Sequence, residues 1–295
     1  MQELIFALAN GSMYALMALA IGIIYSTTRI INFAHGSVIM IGAMTSYWFI
    51  SAFNMNYLVA ILLAILINIL LSILIYKTAV ERLGDLSKNS SWIVTLFGAS
   101  IIIDNIARML FGTEPKAFPF LFDGQDIRIF GANIMLHEIM MIIIAISIGI
   151  VYQFVIQKTS FGRAVRAVSY KPDTARIMGI RSNVVVLTCF AISGGVAAIA
   201  GALIAPITFA SYTMTYAVGI KAFAAALIGG LGNTKGAFVG GITLGLLEGI
   251  VGTMIPGGLK DAVIFLVMII FIIVLPGGIL GAKIFNKGNF SAEKI

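Results

Sequence analysis

The chain alternates between long apolar runs and short polar breaks, so the gaps between charged residues locate its elements. No charge falls between Leu4 and Thr28, Ile30 and Tyr76, Ile139 and Gln157, Ser182 and Ile220, or Ala262 and Ala282. A membrane-crossing helix needs about 20 mostly apolar residues. The 47-residue run from Ile30 and the 39-residue run from Ser182 each exceed one span. Turns are therefore expected inside them, at Phe53-Asn54-Met55-Asn56 and between Pro206 and Thr215. The segmentation is about 4–26, 36–53, 57–77, 91–111, 134–156, 184–206, 216–231, 236–254 and 261–281. Segment 36–53 follows a polar break and 216–231 is short, so the count of about nine spans ranges from eight to ten. Backbone in lipid must satisfy its own hydrogen bonds, which leaves helices or a closed barrel. Long runs without period-2 alternation favour helices. The expectation is an all-α, polytopic integral membrane protein, with residues 1–295 forming a single transmembrane domain.

Composition agrees. Only 11% of the 295 residues are charged and 60% are hydrophobic, with mean hydropathy +1.06. A soluble domain carries about 25% charge. A soluble enzyme, a disordered chain and a nucleic-acid binder are excluded, despite the net charge of +7. One cysteine, Cys189, excludes an internal disulfide, and two histidines are too few for a histidine cluster; no metal site is expected. The first residues, Met-Gln-Glu, lack the basic start of a signal peptide, so the first run reads as a retained span.

The basic excess then reads as topology. The connection 157–183 holds Lys158, Arg163, Arg166, Lys171, Arg176 and Arg181 against one acid, Asp173. It is placed in the cytoplasm, with loop 78–90 (Arg82, Lys88) and the tail (Lys283, Lys287, Lys294). Loop 112–133, with Glu114, Asp123 and Asp126 against Lys116 and Arg128, faces outside. Nine spans then put the N-terminus outside and the C-terminus in the cytoplasm.

The basic loop carries more pattern than orientation requires. Pro172 suits the first position of a helix, Asp173 its positive end and Gly179 the position just past its C-terminus. A two-turn helix is expected over 172–178, with Ala175, Ile177 and Met178 as an apolar contact face. It either packs on its own spans or docks into a cytoplasmic partner.

Four stretches carry a family resemblance. The loop 159–180 resembles the coupling loop of ABC-importer permeases. Asn10-Gly11-Ser12-Met13-Tyr14-Ala15-Leu16 is similar to the opening of branched-chain amino acid permeases. Asn32-Phe33-Ala34-His35-Gly36 resembles that family's signature, followed here by Ser37 where the family often has an acid. Gly219-Ile220-Lys221-Ala222-Phe223, Gly229-Gly230-Leu231-Gly232 and Gly236-Ala237 through Glu248 resemble its Gly-rich C-terminal block, with Gly232-Asn233-Thr234-Lys235-Gly236 departing from the usual wording. The short N-terminus resembles the smaller permease of such systems.

The resemblance implies a permease subunit of an ABC importer for branched-chain or other small amino acids, in a bacterial inner or cytoplasmic membrane. It implies a second permease subunit, homologous or identical, two ABC ATPase subunits and an extracytoplasmic substrate-binding protein. ATP is then used by the partner subunits, and this chain has neither a cofactor nor an enzymatic activity. Loop residues Gly162, Arg163, Pro172, Asp173, Ala175, Arg176 and Gly179 would couple to the ATPases. Permeases for urea and short amides share the signatures and are an alternative.

Site chemistry follows from the residues. Asn32 and Gly36 disfavour helix interiors, so the backbone can unwind there. Asn32, Phe33, His35 and Gly36 are then a substrate-path element, or else a turn near the inner face whose side chains cap the next helix. Asp104 and Arg108, four apart on one helix face, are expected to pair. Lys221 and Glu248 have no local partner; they pair with each other or face an aqueous path, where they suit a zwitterion. Gly236 and Gly240, and Gly241 and Gly245, recur every four residues, a spacing that lets helices approach closely. No P-loop or dinucleotide motif is present. A secondary transporter or channel using Asp104, Glu248 and His35 is the second reading. An intramembrane enzyme is disfavoured, since no Gly-x-Gly-Asp pair or His-Glu-x-x-His occurs.

Overall fold

The computed structural model describes residues 2–83, 90–120, 126–129, 132–254, 257–275 and 277–280. Lys88, Asp123 and the tail lysines Lys283, Lys287 and Lys294 lie outside these residues, as do positions 276 and 281 of segment 261–281.

Each of the nine apolar segments is a helix. They are α1 (Gln2–Thr28), α2 (His35–Phe53), α3 (Tyr57–Ile75), α4 (Ser91–Phe111), α5 (Leu136–Lys158), α8 (Ser182–Thr208), α9 (Met214–Gly229), α10 (Thr234–Met254) and α11 (Gly257–Val274). Two short helices, α6 (Ser160–Tyr170) and α7 (Pro172–Ile177), fill the basic connection. Among the described residues, seven helices are long and apolar enough to cross a membrane; α3 does so through a π-turn and a 3-10 turn to Leu83. Helix α9 is apolar but shorter.

The turns fall where the polar residues stand. Asn54 ends α2 in the left-handed conformation, and the Asn56 carbonyl oxygen Oδ1 caps α3 by accepting from the Leu58 N–H at 2.9 Å. The connection between α4 and α5 carries an antiparallel hairpin of β1 (Asp126–Ile129) and β2 (Ala132–Met135). A backbone bridge between Lys116 and Ala210 (2.8 and 2.9 Å) ties this loop to the break between α8 and α9.

Helix α1 is the centre of the bundle, buried from Ala9 through Ile21 and packed on α5, α8, α9 and α10. Its composition makes this possible: Ala7, Gly11, Ala15, Ala18 and Ala20 let neighbours approach its backbone. At the periphery, α3 turns Leu58, Leu62, Leu66, Leu70 and Leu74 outward, one every turn, as a lipid-facing stripe.

Two expectations are corrected. The break at Asn32–Gly36 is not a turn at one end of the bundle but is buried inside it. Arg29 adopts a left-handed backbone (φ 57°), and the chain doubles back so that α2 starts beside the middle of α4, with the Ser37 and Ser100 hydroxyls 2.8 Å apart. Charge spacing registers where polar chain emerges and is blind to backbone that turns inward. Helix α11 runs from Gly257 to Val274 rather than over 261–281, leaving 275 and 277–280 outside the helix and taking Lys260 and Asp261 into its first turns. Both are tolerated there because each has an opposite charge on a neighbouring helix.

Candidate functional site

Helix α2 starts from a local device. The Asn32 side-chain carbonyl accepts from the Ala34 N–H at 3.1 Å and its backbone carbonyl accepts from the His35 N–H at 3.1 Å. This Asx turn competes with helix and sets where α2 begins. Asn32 therefore organises the turn into α2, at the mid-bundle depth given above. His35 is buried, and its Nε2 has no partner. Gly36 lies on α9: a Cβ there would meet the Thr215 carbonyl and the Gly219 Cα. Phe33 stands between α4 and α9, against Trp92 (6.2 Å between ring centroids), Phe97 (5.4 Å) and Phe223 (6.4 Å).

One turn further on lies a polar cluster that sequence spacing does not reveal. Asp104 Oδ1 on α4 accepts from the Ser37 hydroxyl of α2 at 2.7 Å and from the Thr215 hydroxyl of α9 at 2.8 Å. Ser37 and Ser100 hydroxyls lie 2.8 Å apart. The second carboxylate oxygen, Oδ2, is buried without a partner. No ion pair joins Asp104 to Arg108 among the described residues; Arg108 is exposed. The i,i+4 pairing is thus replaced by hydroxyls from two other helices, because Asp104 faces the bundle and Arg108 does not. A carboxylate beside Ser37 also places an acid next to the position where the resembled family often carries one.

Lys221 and Glu248 meet at the junction of α1, α9, α10 and α11. Lys221 Nζ is 2.9 Å from Glu248 Oε1 and 3.0 Å from Asp261. Lys260 is 3.2 Å from Glu248, and the Tyr14 hydroxyl donates to Glu248 Oε2 at 2.6 Å. Both central side chains are about one-tenth exposed. Charges this buried persist when paired and hydrogen-bonded. Sequence separation hid Tyr14, Lys260 and Asp261 as partners; a tyrosine and two charges in apolar segments were the only signal.

The glycine rows divide between two neighbours. A Cβ at Gly236 or Gly240 would strike the backbone of α9 at Gly229 and Ala225. One at Gly241 or Gly245 would strike α1 at Ala15 and Gly11. Helix α10 thus lies in backbone contact with both.

The basic loop is two helices rather than one. Thr159 caps α6, its hydroxyl accepting from the Gly162 N–H at 3.2 Å, and Gly162 rests on the Ile156 backbone. Helix α7 starts at Pro172 and ends before Gly179 (φ 83°). Asp173 and Arg176 lie 3.7 Å apart on its exposed side, and Arg163 is also exposed. Ala175 is turned inward and buried, whereas Tyr170, Ile177 and Met178 are exposed at 92%, 87% and 75%. The apolar face expected of Ala175, Ile177 and Met178 is therefore split between the fold and the outside.

A bundle of apolar helices with one of them starting at mid-depth, and with buried carboxylates inside, is the architecture of a multi-pass membrane transport protein. Residues 4–272 match the family described as branched-chain amino acid transport system / permease component, and the chain belongs to that family. It is 31% identical to the high-affinity branched-chain amino acid transport system permease protein LivH of Salmonella typhimurium, over 95% of both chains. It is 29% identical to the corresponding permease protein BraD of Pseudomonas aeruginosa, again over 95% of both. A probable branched-chain amino acid transport permease protein LivH of Methanocaldococcus jannaschii is 25% identical, over 93% of this chain and 90% of that one. No solved structure matches the chain.

Proposed function

We propose that this protein is the smaller permease subunit of an ABC importer for branched-chain or other small amino acids, lying in a bacterial inner membrane with its N-terminus outside and C-terminus in the cytoplasm. The observation that carries the reading is near-complete coverage of relatives named as branched-chain amino acid permeases. The translocation path runs along the face where α2, α4 and α9 meet, around Asn32, Phe33, His35 and Gly36. Helices that begin inside a bundle commonly mark transporter paths. A second permease, homologous or identical, completes that path. Two ABC ATPase subunits dock on the loop 159–180, using its exposed Tyr170, Ile177 and Met178 and the charges of Arg163, Asp173 and Arg176. An extracytoplasmic binding protein delivers the solute. ATP hydrolysis then belongs to the partner chains, and its binding supplies the bias between access states that substrate alone does not.

Co-purification from native membranes, with identification of the partner chains and uptake of labelled leucine by the reconstituted assembly, tests the reading. ATP-dependent leucine uptake is the expected result. Gradient-driven uptake by the lone chain, or uptake of urea or acetamide in place of leucine, would replace it.

A further inference from the structure

Two cavities on the basic-loop side of the molecule meet at one residue. The first is an apolar groove of about 490 Å³ between α5 and the start of α10, walled by Ile146, Ile150, Phe154 and Phe238. At its floor the Phe238 ring packs directly on Gly149, where a Cβ would strike it. At one end the lining changes to Gln157, Lys158, Thr234 and Lys235. The second cavity, about 190 Å³, shares Thr234. It is lined by Arg29 and Arg166 with the hydroxyl-bearing Ser26, Tyr152 and Ser169. The left-handed backbone at Arg29 sets its guanidinium over the Tyr25 ring, 5.9 Å from the centroid, at the rim of this pocket.

We propose that the joined cavities form a binding site for one anionic phospholipid. An acyl chain lies in the groove along Ile150, Phe154 and Phe238. The phosphate sits beyond Thr234, among Lys158, Lys235, Arg29 and Arg166. Each half of the site matches one half of such a lipid. Isoleucine and phenylalanine offer an acyl chain dispersion contacts and no competing polar group. Guanidinium forks and hydroxyls are the groups that recognise phosphate. Two cations, Arg29 and Arg166, line the polar pocket, and two more, Lys158 and Lys235, line the adjoining end of the groove; a zwitterionic headgroup is disfavoured there, since its own cation meets like charge. A free phosphate would fill only the polar pocket and leave the groove unexplained. The site also has a consequence: α6 forms one wall through Val165, Arg166 and Ser169. A lipid held there braces the loop that joins α5 to α8, whatever solute the protein carries.

Native mass spectrometry of the delipidated full-length chain, titrated with phosphatidylglycerol or phosphatidylcholine, tests the proposal. Phosphatidylglycerol is expected to be retained selectively, and millimolar inorganic phosphate is expected not to displace it. Each cation removed, in Lys158→Gln, Lys235→Gln or Arg29→Gln, is expected to weaken phosphatidylglycerol about fivefold while leaving phosphatidylcholine unchanged. Ile150→Trp fills the groove without touching a charge and is expected to reduce retention as well. Equal retention of the two lipids, or an undiminished preference in the double variant Lys158→Gln/Lys235→Gln and in Ile150→Trp, overturns it. Cross-linking of Ile150→Cys to a second permease in the assembled complex also overturns it, because protein then covers the groove.

Discussion

The Lys221 ammonium on α9 lies 2.9 Å from the Glu248 carboxylate on α10, inside the bundle, with Tyr14, Lys260 and Asp261 as further partners of the pair. Removing Glu248 leaves Lys221 with Asp261 alone and takes the acceptor from both Lys260 and Tyr14. Glu248→Ala is expected to cost about 3–5 kcal/mol, as other broken buried pairs do. The double variant Lys221→Met/Glu248→Leu is expected to recover most of that loss. Thermal unfolding in detergent reads both. A wild-type melting temperature for Glu248→Ala would show that the pair contributes nothing. If the double variant folds and transports normally, neither residue contacts the solute.

Asp104 and Arg108 separate cleanly by experiment. Asp104→Ala leaves the Ser37 and Thr215 hydroxyls without their acceptor and is expected to destabilise by about 1–3 kcal/mol. Arg108→Gln, at an exposed position, is expected to change stability by less than about 0.5 kcal/mol. Equal losses from the two variants would restore the i,i+4 ion pair that helical spacing suggests.

The glycine contacts rank themselves. A side chain at Gly245 must displace the α1 backbone at Gly11, so Gly245→Leu is expected to prevent recovery of folded protein. Gly98 on α4 faces open space. Gly98→Ala is expected to be neutral or stabilising by up to about 1 kcal/mol. Monodisperse yield on size exclusion checks both, and a well-behaved Gly245→Leu would refute the close α1–α10 approach.

The short helix α7 divides packing from docking. Ala175 is buried, so Ala175→Glu is expected to unfold the loop and lower yield. Ile177→Glu and Met178→Glu place charge at exposed positions, and the protein is expected to fold and insert normally. In the assembled complex these two are expected to abolish substrate-stimulated ATP turnover. Normal turnover in Ile177→Glu/Met178→Glu would move the ATPase contact off this helix.

Nearly all of the span map was legible before any coordinates. Ser91–Phe111 and the Phe53–Asn56 turn fall where charge spacing puts them, and the other helices apart from α11 begin and end within a few residues. The reason is energetic: a charge at mid-membrane costs about 2.5–3.5 kcal/mol on insertion scales, so charges punctuate the chain at the span ends. Pro172 and Gly179 likewise announced α7, because helix ends have local chemistry.

Tertiary structure alone decided how the polar residues inside those spans are matched. The Ser37–Asp104 bond joins positions 67 residues apart, and Tyr14 reaches Glu248 across 234. Helical periodicity tells which residues share a face and nothing about which helix that face meets. The depth of the Asn32–Gly36 break was hidden for the same reason: it depends on the chain turning back beside Ser100 of α4, a relation between elements. Lipid penalises every unmatched charge, and that much is written along the chain; which partner relieves the penalty is settled only when the helices pack.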